Sequence, residues 1–480
     1  MDKNNSNFVQ NTIKVVFSNF AILLSSVLVA LFIPKIMGVI QYGYYKLFVL
    51  YSVYSALLHF GLVDGILLYY GGKQYQSLNK KNLRSISRFF IFFEIIISIL
   101  IIGAAQFINN DTYRYVFTAI GFYTSILNVV TYFQYITQAV MNFNLLSKVN
   151  LFQACSISTF VILLIVLVKF KVIEKVNYQL YVSLFILTYL LMLIFYIVKY
   201  KEIIFGIGRD FFEIKNLILN FFKIGLPVTI SYQITVLILN LDNQYISMFF
   251  STRTFGIYSF AYSLIALTTT IVNAISTVVF PYLNKQDRIE AMNNYSLNLS
   301  YILSLIYLVI LVYFPIHIFI HWFLPAYVPS LSYFRLLLPG VGISSCVSIV
   351  IFNYFKIVNA SKKYLIYGIV VLIIAVFFNY IIYLVFKSAY AIALSSLIVL
   401  FFWYLLDNNY LCTKYKKKSM NNTIYIIIMT ISFELVTLVR QPIIAFFSYL
   451  IIYILVTFWL EKNVVNFIFN LLKKYKRSFL

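Results

Sequence analysis

Apolar runs of about twenty residues or more alternate with short polar stretches fourteen times along the 480-residue chain. A membrane-crossing helix needs about 20 mainly apolar residues. That criterion predicts spans near 13–37, 43–70, 89–109, 114–140, 149–170 and 179–199. After a polar stretch they resume near 222–250, 255–283, 296–323, 330–357, 363–386 and 388–411, and two more follow near 423–440 and 443–460. Several runs exceed 25 residues, so tilt or kinks are expected. The pattern predicts an all-α polytopic membrane protein with about 14 transmembrane helices.

The longest stretches outside the spans are 71–88, 200–221 and 461–480. Phe205, Phe211, Phe212, Ile214 and Leu217 lie among charges in the second, which reads as an amphipathic linker along the inner interface. The expected organisation is a six-helix lobe over 1–200, the linker at 201–221 and a second six-helix lobe over 222–412. Two additional helices over 413–462 and a basic cytoplasmic tail over 463–480 complete it.

Composition agrees with lipid as the solvent. Hydrophobic residues make up 62% and charged residues 11%, where a soluble domain keeps roughly a quarter charged. The net charge of +23 invites a nucleic-acid reading, but the basic residues sit in short clusters between apolar runs. With the N-terminus inside, 27 of the 37 Lys and Arg fall on the cytoplasmic side, among them Lys80, Lys81, Arg84, Arg88, Lys416 and Lys417. An even number of spans then leaves both termini in the cytoplasm. No cleavable signal peptide is visible, because the first apolar run is long enough to span and lacks a small-residue cleavage pattern. Cys155, Cys346 and Cys412 have no CxxC or Cys/His spacing, and His59, His317 and His321 have no metal-ligand spacing, so neither a disulfide framework nor a metal site is expected. No outer loop exceeds about a dozen residues, which argues against an enzyme with its active site in a large outer loop.

The chain also carries an internal repeat. Gly38-Val39-Ile40-Gln41-Tyr42-Gly43-Tyr44-Tyr45 joins the first two spans, and Ser251-Thr252-Arg253-Thr254-Phe255-Gly256-Ile257-Tyr258 joins the seventh and eighth. Gly38/Ser251, Tyr42/Phe255, Gly43/Gly256 and Tyr45/Tyr258 keep a constant offset of 213, and Lys73-Gln74 matches Lys285-Gln286 at 212. Both copies join spans of the same sense, so the repeat is expected to be parallel, about an axis along the membrane normal. A glycine in such a turn supplies positive φ or close backbone approach, and its aromatic neighbours suit the headgroup belt.

The stretch Ile33-Pro34-Lys35-Ile36-Met37-Gly38 through Tyr45 resembles the first outer hairpin of Wzx-type polysaccharide flippases, the O-antigen and capsule repeat-unit exporters. These belong to the superfamily of multidrug, oligosaccharidyl-lipid and polysaccharide exporters. Asp242-Asn243-Gln244-Tyr245 followed by Phe255-Gly256-Ile257-Tyr258 is similar to that family's seventh and eighth spans, with Asn243 and Ser251 departing from the pattern. The resemblance implies two lobes around a central cavity in a bacterial cytoplasmic membrane, working by alternating access. The implied cargo is an undecaprenyl-pyrophosphate-linked oligosaccharide, and the implied partners are the bilayer, a polysaccharide polymerase and chain-length machinery. It implies no cofactor, with transport coupled to a proton or sodium gradient. A lipid II-type precursor flippase and a multidrug or small-molecule antiporter are the alternatives within the superfamily. A membrane glycosyltransferase or polymerase is the alternative outside it.

Flipping a pyrophosphate-linked sugar requires cations for the phosphates and polar groups for the hydroxyls. Lys35, Lys46 and Arg335 lie near the outer ends of their spans, where a phosphate or a lipid headgroup could meet them. Gln134 and Gln138 are amides of the fourth span, and Asn353-Tyr354 echoes Gln134-Tyr135 in the tenth; such amides bind sugars or bridge helices. Asp64 and Asp242 are candidates for ion coupling or for buried hydrogen bonding between helices, with Glu94 a further acid about a turn and a half into the third span. Glu434 is the acid nearest the midplane, and Arg440 is too far round its helix to pair with it.

Overall fold

The computed structural model describes residues 3–283, 292–462 and 464. The predicted tail over 463–480, apart from Val464, together with Lys285, Gln286 and Arg288, lies outside the described residues. Two compact units are present, Met1–Val236 and Leu237–Leu480.

The first unit opens with α1 (Lys3–Met37), α2 (Val39–Ser52), a 3-10 stretch (Val53–His59) and α3 (Leu62–Tyr70). There follow α4 (Lys80–Ala105), α5 (Asp111–Ala139), α6 (Phe143–Lys169), α7 (Tyr178–Lys199) and α8 (Phe211–Phe249), whose C-terminal part enters the second unit. Asparagine side chains start four of these helices. Asn79 accepts from the Asn82 N–H, Asn110 from those of Thr112 and Tyr113, Asn142 from Leu145 and Asn177 from Gln179. The caps lie in the polar flanks, so α4 begins at Lys80 rather than near 89. Helix α8 likewise begins at Phe211, so half of the stretch read as a linker is continuous with the seventh span.

Helix α5 is the centre of this unit. It packs on α2, α3, α4 and α7, and 61% of its apolar window is buried against 17–28% for α1, α4, α6 and α7. It is also the least apolar of these spans, with mean hydropathy 1.5, because a helix surrounded by protein can carry Thr124, Asn128 and Thr137 where a lipid-facing one cannot. Phe122, Ile99 and Leu100 point outward instead.

The second unit continues with α9 (Thr252–Leu283), α10 (Tyr295–Val309), α11 (Tyr313–Phe323), α12 (Ser330–Ser345) and α13 (Phe352–Ile357). It ends with α14 (Ser361–Phe386), α15 (Ala389–Tyr415), α16 (Met420–Val436) and α17 (Pro442–Leu460). A short 3-10 turn joins α10 to α11, and a π-helical turn (Cys346–Ile351) joins α12 to α13. Ser330–Ile357 is the central span here, 83% buried, packed on α9 and α15. Among the described residues every predicted span therefore meets helix. Among the described residues eleven helical segments, Tyr295–Phe323 and Ser330–Ile357 each taken as one, are long and apolar enough to cross a membrane, the α2–α3 pair makes a bent twelfth, and Met420–Val436 is a shorter apolar helix.

The two repeat hairpins close in the same way. Gly38 adopts φ 77 between α1 and α2, and its carbonyl accepts from the Tyr42 N–H at 3.0 Å. Ser251 stands between α8 and α9, and its carbonyl accepts from the Phe255 N–H at 2.9 Å. Its hydroxyl accepts from the Thr254 N–H, so a side-chain cap takes the place of the glycine. Gly43 and Gly256 lie inside α2 and α9, one turn past the bends.

Candidate functional site

The second span is broken. After the 3-10 stretch, Phe60 (φ 48) and Gly61 (φ 82) turn the chain, and the two halves meet at 58°. The break rests directly on the backbone of α8. A Cβ on Gly225 would lie 1.8 Å from the Gly61 carbonyl oxygen, and one on Gly65 would lie 2.1 Å from that of Phe221. Only glycine allows this approach. Pro227, two residues further along α8, takes one more backbone donor out of the same region.

This geometry assembles a polar group around Asp64, three residues past Gly61. Thr229 Oγ1 of α8 donates to Asp64 Oδ2 at 2.6 Å. His59 Nε2 lies 3.9 Å from the same oxygen, with the Asp64 side chain 16% exposed. The Gly61 N–H donates to His59 Nδ1, so a neutral ring carries its hydrogen on Nε2, the atom facing Asp64.

Asp242, on α8 in the second unit, is held differently. Tyr258 donates to Oδ2 at 2.6 Å, Tyr262 to Oδ1, and the Asn243 N–H to Oδ1 at 2.7 Å. Ser259 donates to the Asn243 side chain at 3.2 Å. Tyr258 and Tyr262 are one turn apart on α9, so one helix face supplies both hydroxyls to the carboxylate.

Arg335 on α12 pairs with Glu434 on α16, Nε to Oε2 at 3.1 Å, and donates through Nη2 to Tyr390 of α15 at 3.0 Å. This ties the first of the two additional helices to the body of its unit. Lys46 is half-buried, with its ammonium 5.4 and 5.6 Å from the ring centres of Tyr42 and Tyr45. Tyr45 in turn meets Tyr181 edge-on at 4.9 Å. Lys35 ends α1 on an exposed position beside the buried Pro34. Gln134 and Gln138 are half-buried on α5; the Gln138 carbonyl accepts from the Met141 N–H at 3.0 Å, and neither side-chain amide bonds another described residue. Asn353 donates to the Ile349 carbonyl, closing the π turn of its own helix. Phe255 and Gly256 are buried within α9, and Tyr258 belongs to the Asp242 group.

Two acids are set differently from what their sequence positions suggest. Glu94 is the fifteenth residue of α4, mid-helix rather than near its start, and is fully buried. Asp407 on α15 is also fully buried, and neither of its carboxyl oxygens makes a hydrogen bond with a described residue. In the sequence it lies inside the predicted span 388–411, beside Asn408 and Asn409, and depth alone does not single it out.

The comparisons with known proteins agree with this architecture. Residues 73–286 match a family model described as polysaccharide biosynthesis protein. The lipid II flippase MurJ, in an inward closed conformation, matches over 95% of this chain and 100% of its own at TM-score 0.69 and 15% identity. The chain has the fold of the exporter superfamily. Inward- and outward-facing structures of a multidrug resistance MATE family transporter of the MOP superfamily also match. They do so at TM-scores 0.54 and 0.53 and 12% identity, over 84% and 85% of this chain and 96% of theirs. No curated protein matches the sequence. The resemblance expected from the hairpin motif is borne out in the fold and in the family match over residues 73–286.

Proposed function

We propose that the protein flips a lipid-linked oligosaccharide, of the undecaprenyl-pyrophosphate type, across a bacterial cytoplasmic membrane by alternating access for surface polysaccharide assembly. The observation that carries this reading is the extent of the MurJ match, 95% of this chain, against 84–85% for the multidrug transporters. Twelve spans end at Tyr415, so the longer match is what a flippase of large lipid-linked substrates would give if it shares the two additional helices. The polysaccharide biosynthesis match over 73–286 points to sugar rather than drug as the cargo.

In this reading Lys46 and Lys35 meet the phosphates near the outer ends of their spans, and Gln134 and Gln138 offer unspent amides to sugar hydroxyls. Asp64 couples the cycle to an ion gradient through the break in span two, with Asp242 as a second acid. Both termini are cytoplasmic. The test is deletion in the native host. Lipid-linked repeat units should accumulate on the inner leaflet while surface polysaccharide falls. Unchanged polysaccharide together with no accumulation sinks the proposal, and a loss of drug resistance alone would favour the antiporter reading.

A further inference from the structure

Helices α4 and α5 and the 3-10 stretch of span two enclose a four-residue polar group. Glu94 and Thr124 are 0% exposed, and Asn128 and Ser55 are 1% exposed. Asn128 Nδ2 donates one hydrogen to Glu94 Oε2 at 2.9 Å and the other to the Ser55 carbonyl at 3.1 Å. Thr124 donates to the Ile120 carbonyl at 2.8 Å, which leaves the Ser55 hydroxyl to donate to Thr124 Oγ1, also at 2.8 Å. Every donor hydrogen in the group is then in use. Two acceptors, Glu94 Oε1 and Asn128 Oδ1, have no partner. The group lacks one donor.

We propose that Glu94 is a proton-binding site, a neutral carboxylic acid paired face to face with the Asn128 amide and linked through it to the broken second span. A hydrogen on Oε1 directed at Asn128 Oδ1 fills both vacant acceptors at once and completes a cyclic acid–amide pair. A bare carboxylate in this place would be buried with a single hydrogen bond, an arrangement that membrane interiors and protein cores penalise. None of the ion pairs among the described residues involves Glu94.

The charged groups on the surrounding elements are committed elsewhere; on α4 itself Lys80 donates to the Tyr75 carbonyl and Lys81 is exposed. Tyr132 of α5 is bonded to Ser87 at 2.7 Å, and Asp111 and Arg114 pair with each other at the start of that helix. His59 faces Asp64, which accepts from Thr229. Arg84 and Arg88 are bound to the carbonyls of Glu202, Ile207, Ile204 and Gly206. On α8, Glu213, Lys215 and Lys223 are exposed.

The proton has a mechanical consequence. If it leaves to water, the new carboxylate faces the Asn128 carbonyl oxygen. Repulsion between the two oxygens then disfavours the present orientation of the amide, and with it the bond to the Ser55 carbonyl. Ser55 lies in Val53–His59, directly before the break at Phe60–Gly61, so proton occupancy and the bend of span two are linked.

Infrared spectroscopy of the purified full-length chain in lipid nanodiscs tests the assignment without any transport assay. At neutral pH and without sodium, a protonated-carboxyl stretch that shifts in deuterium oxide is expected. Glu94→Gln should lose it. Asn128→Ala should shift it, which gives a second reading should Glu94→Gln fail to fold. Asp242→Asn and Asp407→Asn should leave this component in place. An unchanged acid band in Glu94→Gln overturns the proposal, as does loss of carboxylate intensity instead. Loss of the acid band on adding sodium at fixed pH also overturns it, in favour of a metal-cation site. None of these outcomes depends on the cargo.

Discussion

Arg335 and Glu434 illustrate how one residue's meaning depends on a partner the sequence does not place beside it. Taken alone, Arg335 is a cation near the end of a span and Glu434 an acid near mid-membrane. Together they form a partly buried pair at 3.1 Å, with side chains 19% and 24% exposed. Removing one partner strands the other charge, so Arg335→Ala and Glu434→Ala should each lower the melting temperature of the purified protein. The double variant should recover part of the loss, with a coupling of about 0.5–3 kcal/mol. Strictly additive losses would mean that the pair is incidental. Asp64 gives the same lesson. His59, five residues away, is visible beside it in the sequence, but Thr229 lies 165 positions on and is brought to it only by the packing of α8 on α3. The candidate acids could be read from their depth. Their donors could not, because nothing local encodes a contact between spans.

At the scale of elements, hydropathy located the spans but not their ends or their breaks. The ends follow from Asn79, Asn110, Asn142 and Asn177, whose capping bonds fall in polar flanks that an apolar window discards. The break at Gly61 lies within a single continuous apolar run, 43–70, and was invisible for that reason. Its cause is tertiary, the approach of Gly61 and Gly65 to Gly225. Gly225→Ala should therefore force α3 and α8 apart and destabilise the unit by about 1–3 kcal/mol, the usual cost of overpacking. Gly103→Ala is the internal control. A Cβ there meets nothing within 4 Å, so the change should be neutral or slightly stabilising through helix propensity. Thermal unfolding of both variants decides the matter, and equal effects would mean that the close approach is not what holds the break.

For the whole molecule, the repeat gives each unit a hairpin closed by the same backbone bond. The Tyr42-to-Gly38 and Phe255-to-Ser251 backbone bonds fall at the same offset of 213 that the sequence shows, although glycine closes one turn and a serine cap the other. What the repeat leaves to be fixed is sidedness, and there the number of spans decides. With fourteen crossings and basic clusters inside, the turn after α6 and the turn between α16 and α17 face outward, while the stretch after α7 and the α15–α16 turn face the cytoplasm. Val172 and Leu438, 67% and 64% exposed, mark the first pair, and the exposed Lys201 and Lys418 mark the second. Single cysteines at these four positions, with Cys155, Cys346 and Cys412 replaced by serine, give a direct reading. A membrane-impermeant maleimide applied to intact cells should label Val172→Cys and Leu438→Cys, and should reach Lys201→Cys and Lys418→Cys only after the membrane is opened. If Met420–Val436, an apolar helix below span length, lay along the surface, Leu438→Cys would share the accessibility of Lys418→Cys. A crossing of 17 residues covers about 25 Å at 1.5 Å per residue, short of the roughly 30 Å of hydrocarbon. The helix can still cross because Thr437, Leu438 and Val439 extend it by a turn and the bilayer thins locally at modest cost. The opposite accessibility of Leu438→Cys and Lys418→Cys is therefore the outcome that establishes fourteen spans.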